Sequence, residues 1–252
     1  MLYCYYSISL IIKFVSFSYN SINYKKNKKE LFDFIKLNLK RRVRFSNDFK
    51  KSYKLTIEQE EILIGLILGD GYLERAKLTH NTRLCLEQTY PEKEKYLLSL
   101  FDIFKPLVTI NEPRVIVRKA DKRTNKIYKS IAFKTSTLFC LNKYHDLFYK
   151  YKVKIIPINI DKLLTARGLA YWIMNDGSKT SYNQTILHTR AFTYEELLLL
   201  QKALMNNFKL YTRIEKRGNN QWVLIIPLKQ EIPLIEIVKP YMHETMKYKV
   251  NI

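Results

Sequence analysis

Two apolar stretches organise the chain from Ile57 onward: LIGLILGDGYLE at residues 63–74 and LAYWIMNDGSK at residues 169–179. Each predicts a helix that ends in Asp-Gly and gives way to strand-like residues, and the two aspartates, Asp70 and Asp176, lie 106 positions apart. The segments downstream of the two stretches also match. Pro91 is expected to open a helix (PEKEKYLLSLFDIF), because proline at a first helical position loses no needed donor. Thr193 with Glu196 forms a capping box ahead of LLLLQKALMNNF. Alternation of apolar and charged positions predicts one hairpin from RVIVRK and IYKSIAFK, and another from YTRIEKR and QWVLIIPL with Gly218 and Asn219 at its turn. Both halves close on nearly the same string, KYKVKI at 150–155 and KYKVNI at 247–252.

The order helix, hairpin, helix, hairpin, helix therefore occurs twice, which predicts an α+β fold of two pseudo-symmetric αββαββα halves at 52–157 and 158–252, behind an N-terminal arm or leader at 1–51. Similar halves carrying one acid each imply a shared site on the pseudo-two-fold axis. An aspartate in the last turn of a helix faces the negative end of the helix dipole, so placing one there twice asks for a compensating cation. Gly65 and Gly69 lie four apart on one helical face and admit a close partner helix; Gly168 and Ala170 are the small residues on the other side, while Tyr171 and Met174 are bulky and make the packing asymmetric. Two carboxylates brought together repel unless divalent ions sit beside them. Mg²⁺ suits such a site, since it takes oxygen ligands, keeps waters and completes its shell with substrate phosphates.

Charge narrows the partner. The 44 Lys and Arg against 23 Asp and Glu give a formal charge of +21, which points to a polyanion. Residues 1–51 hold 12 Lys and Arg and 3 acids, and a helix is expected there around Lys29 to Leu39. The first 18 residues are apolar, but Lys13 interrupts them and no basic stretch precedes them, which argues against a secretory signal or a spanning helix and for no membrane partner. Cys4, Cys85 and Cys140 are odd in number without metal-ligand spacing, and His80, His145, His188 and His243 are scattered, so none of these is assigned chemistry. Only 6 Gly beside 19 Tyr is the usage of an A+T-rich coding sequence, which suggests an organellar genome.

LIGLILGDG resembles the nine-residue signature of the LAGLIDADG homing endonucleases, and LAYWIMNDG is similar to a second, more divergent copy. The resemblance covers residues 55–252, with Leu68 and Met174 standing where the signature has its first acid and Tyr171 standing for a glycine. It implies that the signature helices form the central interface through Gly65, Gly69 and Ala170, and that two curved antiparallel sheets make a saddle over the major groove of double-stranded DNA. It implies a single chain acting as a monomer, with Mg²⁺-dependent double-strand cleavage at a long asymmetric site in which Mn²⁺ can substitute. Asp70 and Asp176 match the last motif aspartate, and Gly69 and Asn175 beside them are carried as metal-site positions. A lysine is expected near the end of each half: Lys249 in the second, and in the first either Lys152, by the internal repeat, or Lys154, by its spacing to Pro157.

Strand alternation places Arg75, Lys77, Arg83, Arg114, Arg118, Lys129 and Lys134 on the groove-facing sheet of the first half. Lys179, Arg190, Arg213 and Arg217 would do the same in the second. The expected function is homing of a mitochondrial intron, with a chloroplast origin as the alternative source. The rival is an RNA maturase that binds its own intron RNA and cuts nothing.

Overall fold

The computed structural model describes residues 44–219 and 221–250. The helix expected at Lys29–Leu39 and the apolar stretch at the start lie outside them. The folded body begins earlier than expected. Helix α1 (Asn47–Ser52) is capped by the Ser46 side chain, and Phe49 and the following Tyr53 pack against the core, where the Tyr53 hydroxyl donates to Gln59 Oε1 at 3.2 Å. Residues 44–51, expected in a detached arm, are therefore part of the folded body. Aromatic residues at 45, 49 and 53 sit on one helical face, and the arm's basic composition masked that spacing.

In the first half, helix α2 (Ile57–Leu68) starts at a full capping box between Thr56 and Gln59. It leads into β1 (Tyr72–Glu74) and β2 (Arg83–Thr89), α3 (Glu94–Phe104), β3 (Arg114–Val117), β4 (Lys129–Lys134) and α4 (Asn142–Phe148). A two-residue hairpin, β5 (Tyr149–Lys150) with β6 (Val153–Lys154), and short α5 (Ile160–Leu163) form the link. The second half repeats the plan with α6 (Ala166–Asp176), β7 (Gly177–Lys179), β8 (Thr185–Leu187), α7 (Tyr194–Phe208), β9 (Arg213–Gly218), β10 (Gln221–Ile226) and α8 (Leu234–Val238). The sheets run β1-β2-β4-β3 and β7-β8-β10-β9, antiparallel throughout and in the same order, so the fold is the α+β pseudo-dimer that the duplication implied. The Thr193 and Glu196 capping box is present. Pro91 is not a first helical residue: it lies in the turn before α3, whose N-cap is Lys93.

The helix pair α2 and α6 is the axle of the molecule. From Ile62 to Leu68 every residue of α2 is buried, as expected of a helix with protein on all sides. A Cβ built on Gly65 would stand 2.2 Å from the Gly168 carbonyl oxygen and 2.9 Å from Tyr171 Cβ, and one on Gly69 would stand 2.7 Å from Asn175 Cβ. The stripe of α6 that meets α2 thus runs through Gly168, Tyr171 and Asn175. Ala170, expected on this interface, is buried but two residues from Gly168 and so on another face. Arg167 Nη1 donates to Glu61 Oε2 at 2.6 Å and ties the N-terminal ends of the pair together. No helix of the described residues is long and apolar enough to cross a membrane.

The repeated closing strings do not fold alike. KYKV at 150–153 turns through Tyr151 and Lys152, both at positive φ (49° and 66°), to make the β5–β6 hairpin. KYK at 247–249 ends a 3₁₀ helix over Glu244–Lys249.

Candidate active site

Helix α2 stops at Leu68: Gly69 N–H bonds back to the Gly65 and Leu66 carbonyls, and Gly71 N–H bonds to Leu66 O at 2.9 Å. Asp70 therefore stands just beyond the helix and is exposed. Asp176 is the last residue of α6, capped by Gly177 N–H to Ile173 O, and is partly buried. Only the second aspartate occupies the last-turn position expected for both. Burial pushes the Asp176 carboxyl up to about 7, and the nearby Asp70 charge adds to this, against the pull of Lys249, Lys154 and Lys93.

Each helix end is met by a lysine. Lys154 Nζ donates to Gly69 O and Gly71 O, both at 2.9 Å, and Lys249 Nζ donates to Met174 O at 2.7 Å with longer contacts to Ile173 O and Asn175 O. A cation on the orphan carbonyls of a helix C-terminus satisfies both the hydrogen bonds and the dipole. Burial pulls both ammonium groups down to about 8, partly offset by the two aspartates. Lys154, not Lys152, is thus the structural counterpart of Lys249. Lys152 is exposed at the tip of the β5–β6 turn. The string match misleads here because the two copies have different backbone conformations.

A cleft of about 490 Å³ opens beside Asp176, lined by Lys93, Ser178, Lys179, His188, Tyr248 and Lys249 among others. Sequence reasoning missed Lys93 and His188. His188 shares a 2.7 Å hydrogen bond with Ser178 Oγ, and its backbone N–H holds Asp176 O at 3.1 Å. The usable signal was its position: His188 comes directly after β8, on the strand that pairs with the residues after Asp-Gly. Gly69 and Asn175 flank the carboxylates, but their carbonyls face lysines and the Asn175 side chain points into the interior, where it is 3% exposed. Among the described residues no group of three or more His, Cys, Asp and Glu converges, so the protein's own hard ligands at this site are the two carboxylates. That donor set fits Mg²⁺, which retains several waters.

The sequence profile of the LAGLIDADG DNA endonuclease family matches residues 60–232. The chain belongs to this family. It is similar to the DNA endonuclease I-ChuI of Chlamydomonas applanata, 29% identical over 78% of this chain and 96% of that one. It is also similar to the cytochrome b mRNA maturase bI2 of Saccharomyces cerevisiae, 30% identical over 75% of this chain and 46% of that one. The solved structure of the homing endonuclease I-WcaI bound to its DNA recognition sequence superposes with a TM-score of 0.75, at 29% identity, covering 84% of this chain and 96% of that one.

With this LAGLIDADG architecture, the sheet faces turned away from the core are the candidate DNA interface, and the two differ in chemistry. In the first sheet Leu73, Leu84, Leu86, Ile131 and Phe133 face the core, which leaves Tyr72, Glu74, Arg83, Glu87, Arg114 and Lys134 on the open side. Arg83 and Lys134 both bind Glu74, at 2.8 and 3.0 Å, and Arg118 pairs with Glu87. The bonds from Arg83 and Lys134 hold the Glu74 carboxyl at about 2. Lys129 pairs with Val117 five residues from Lys134, so it lies on the opposite face from Lys134, because strand side chains alternate. Arg75 is a strut: its side chain is 13% exposed and bonds Asp146 Oδ1 and His80 O at 2.8 Å. Lys77 is exposed in the β1–β2 connection.

On the open side of the second sheet Ile186, Val223 and Ile225 stand in register with Ser178 and Arg213, with Ile186 half-buried and Val223 and Ile225 buried. Arg213 and Arg217 both pair with Glu215. Lys179 is exposed but pairs with Thr185 on the other side of the strand, and Arg190 is exposed in the loop after β8.

Proposed function

We propose that this chain is a homing endonuclease that acts as a monomer, is encoded by a mitochondrial intron, and makes a Mg²⁺-dependent double-strand break at one long asymmetric DNA site. The observation that carries the reading is the pairing of Asp70 and Asp176 at the adjoining ends of α2 and α6, each end met by a lysine. Mg²⁺, for which Mn²⁺ can substitute, would supply an activated water and neutralise charge on the leaving oxygen. Asp70 and Asp176 would hold it. Lys154 and Lys249 fix the two helix ends by their carbonyls and present positive charge where phosphates must approach. Near-neutral values for both lysines and Asp176 leave the proton inventory of the cluster adjustable at working pH.

The test is cleavage of a plasmid carrying the intronless insertion sequence. Linear product is expected with Mg²⁺ or Mn²⁺ and not with EDTA, while Ca²⁺ supports binding alone, since its looser coordination neutralises charge without reactive geometry. Asp70→Asn and Asp176→Asn should each abolish the double-strand break and keep gel-shift affinity. Cutting without metal, or wild-type cutting by either variant, refutes the assignment. The likeness to a maturase favours a second reading, binding of the chain's own intron RNA. Splicing that proceeds with the chain and without any DNA cleavage would select it.

A further inference from the structure

We propose that Gln88 is a positioning residue that orients the Asp70 carboxylate, and that its own orientation is dictated by Asn175 from the opposite half; this rests on the endonuclease reading. Gln88 is buried near the end of β2 and faces inward. Its Nε2 donates to Asn175 Oδ1 at 3.0 Å and reaches Asp70 Oδ2 at 3.4 Å. Asn175 Nδ2 in turn donates to Tyr171 O at 2.8 Å and to the Tyr96 hydroxyl at 3.0 Å.

These bonds have a direction. The Tyr171 carbonyl can only accept, so Asn175 must present its nitrogen there and its oxygen toward Gln88. That oxygen can only accept as well, so Gln88 must present its nitrogen to it. The second hydrogen of that same nitrogen then points at Asp70. Turning either amide over would set oxygen against oxygen in a buried site, which is costly. A main-chain carbonyl in α6 thereby determines which group faces the carboxylate after α2.

The second aspartate has no such relay. The position before Asp70 that corresponds to Asn175 is Gly69, whose place is too tight for a side chain. The residue that corresponds to Gln88, by extending the register of Tyr72 with Cys85 and of Gly177 with Leu187, is Thr189, two positions beyond β8, and its hydroxyl donates to Trp222 O at 3.1 Å. Among the described residues no side chain donates to the Asp176 carboxylate. One carboxylate is therefore held by a directed bond and the other by charge alone, so the two DNA strands meet unlike sites.

The experiment uses the full chain with Gln88→Leu and the near-isosteric Gln88→Glu, on duplex target labelled separately on each strand. Loss of one hydrogen bond to a charged group at a reacting centre corresponds to about a tenfold rate change. The strand served by Asp70 should slow about tenfold relative to the other, so nicked duplex accumulates, while DNA affinity in Ca²⁺ stays at the wild-type level. In metal-free protein, the Gln88 side-chain amide resonances should move on Asp70→Asn and on Asn175→Ser. If both strands slow equally, or neither does, Gln88 is only a packing residue and the proposal fails. Should Gln88→Leu not fold, the strand ratio of Gln88→Glu decides. A wild-type chain that does not cut refutes the endonuclease reading instead; the relay is then judged by the amide resonances, and their failure to move overturns it.

Discussion

Replacing Asp176 with asparagine should destroy cleavage and stabilise the metal-free protein. The carboxyl stands at about 7 in the fold against an ordinary 3.8, raised first by burial and then by the Asp70 charge. A raised value means that this group favours the fold below its unfolded pKa and that the benefit is lost as the pH rises through about 7. A shift of about 3 units is worth about 4 kcal/mol, and the partial exposure of Asp176 reduces this to about 2 kcal/mol. For a body of this size that is a rise in Tm of about 4–8 °C at pH 8. Lys154 and Lys249, lowered to about 8 from 10.5, act in the opposite sense: their contribution is full above 10.5 and is lost as pH falls through about 8. The metal-free site is thus most strained between about pH 7 and 8, where the pair of trends meets. Urea denaturation in EDTA at pH 4 and pH 8 checks this for wild type and Asp176→Asn. At pH 4 the folded wild-type carboxyl is already neutral and the two proteins should match. A variant no more stable at pH 8, or equally stabilised at both pH values, would refute the argument.

The same geometry sets three further outcomes. Lys154→Met should lower the cleavage rate about a hundredfold, the scale of a lost charge-stabilising donor, whereas Lys152→Met should cut within about twofold of wild type in the same plasmid assay. Gly65→Ala should cost more than about 3 kcal/mol in urea denaturation, because the added methyl runs into the Gly168 carbonyl and the Tyr171 Cβ, neither of which can swing aside, and the helices must part. Removal of residues 1–43 should leave a folded, cleaving protein whose DNA affinity depends less steeply on salt, while removal of 1–51 should also lower the unfolding midpoint, since Phe49 then leaves the core.

Much of this was legible in the residues. The axle helices were readable because buried all-round helices need uninterrupted apolar runs with small residues at the crossing, and LIGLILG supplies both. The repeated succession of helices and strands came from duplication plus alternation. The failures were partly local slips and partly features set by partners distant in sequence. Pro91 satisfied a helix-start rule, yet the chain spends two more residues turning before α3 begins. KYKV reads the same twice but is a hairpin in one half, where the Tyr149 hydroxyl accepts from Leu73 N–H, and a 3₁₀ turn in the other. Asn175 looked like a site residue from its place beside Asp176; only the contacts from Tyr96 and Gln88 turn its side chain inward. Lys129 was a parity error within a single strand, visible in the sequence once Lys134 is taken as the reference.

The contact of Gly65 with the Gly168 carbonyl also has a mechanical side. Both sheets hang from this crossing, so it works as a fulcrum with the strand tips at the ends of its arms. A slight tilt there leaves the carboxylates nearly in place and swings the tips through a much larger arc, altering how widely the saddle opens. Halves drawn from different relatives can then be joined only where their helix crossings share one angle.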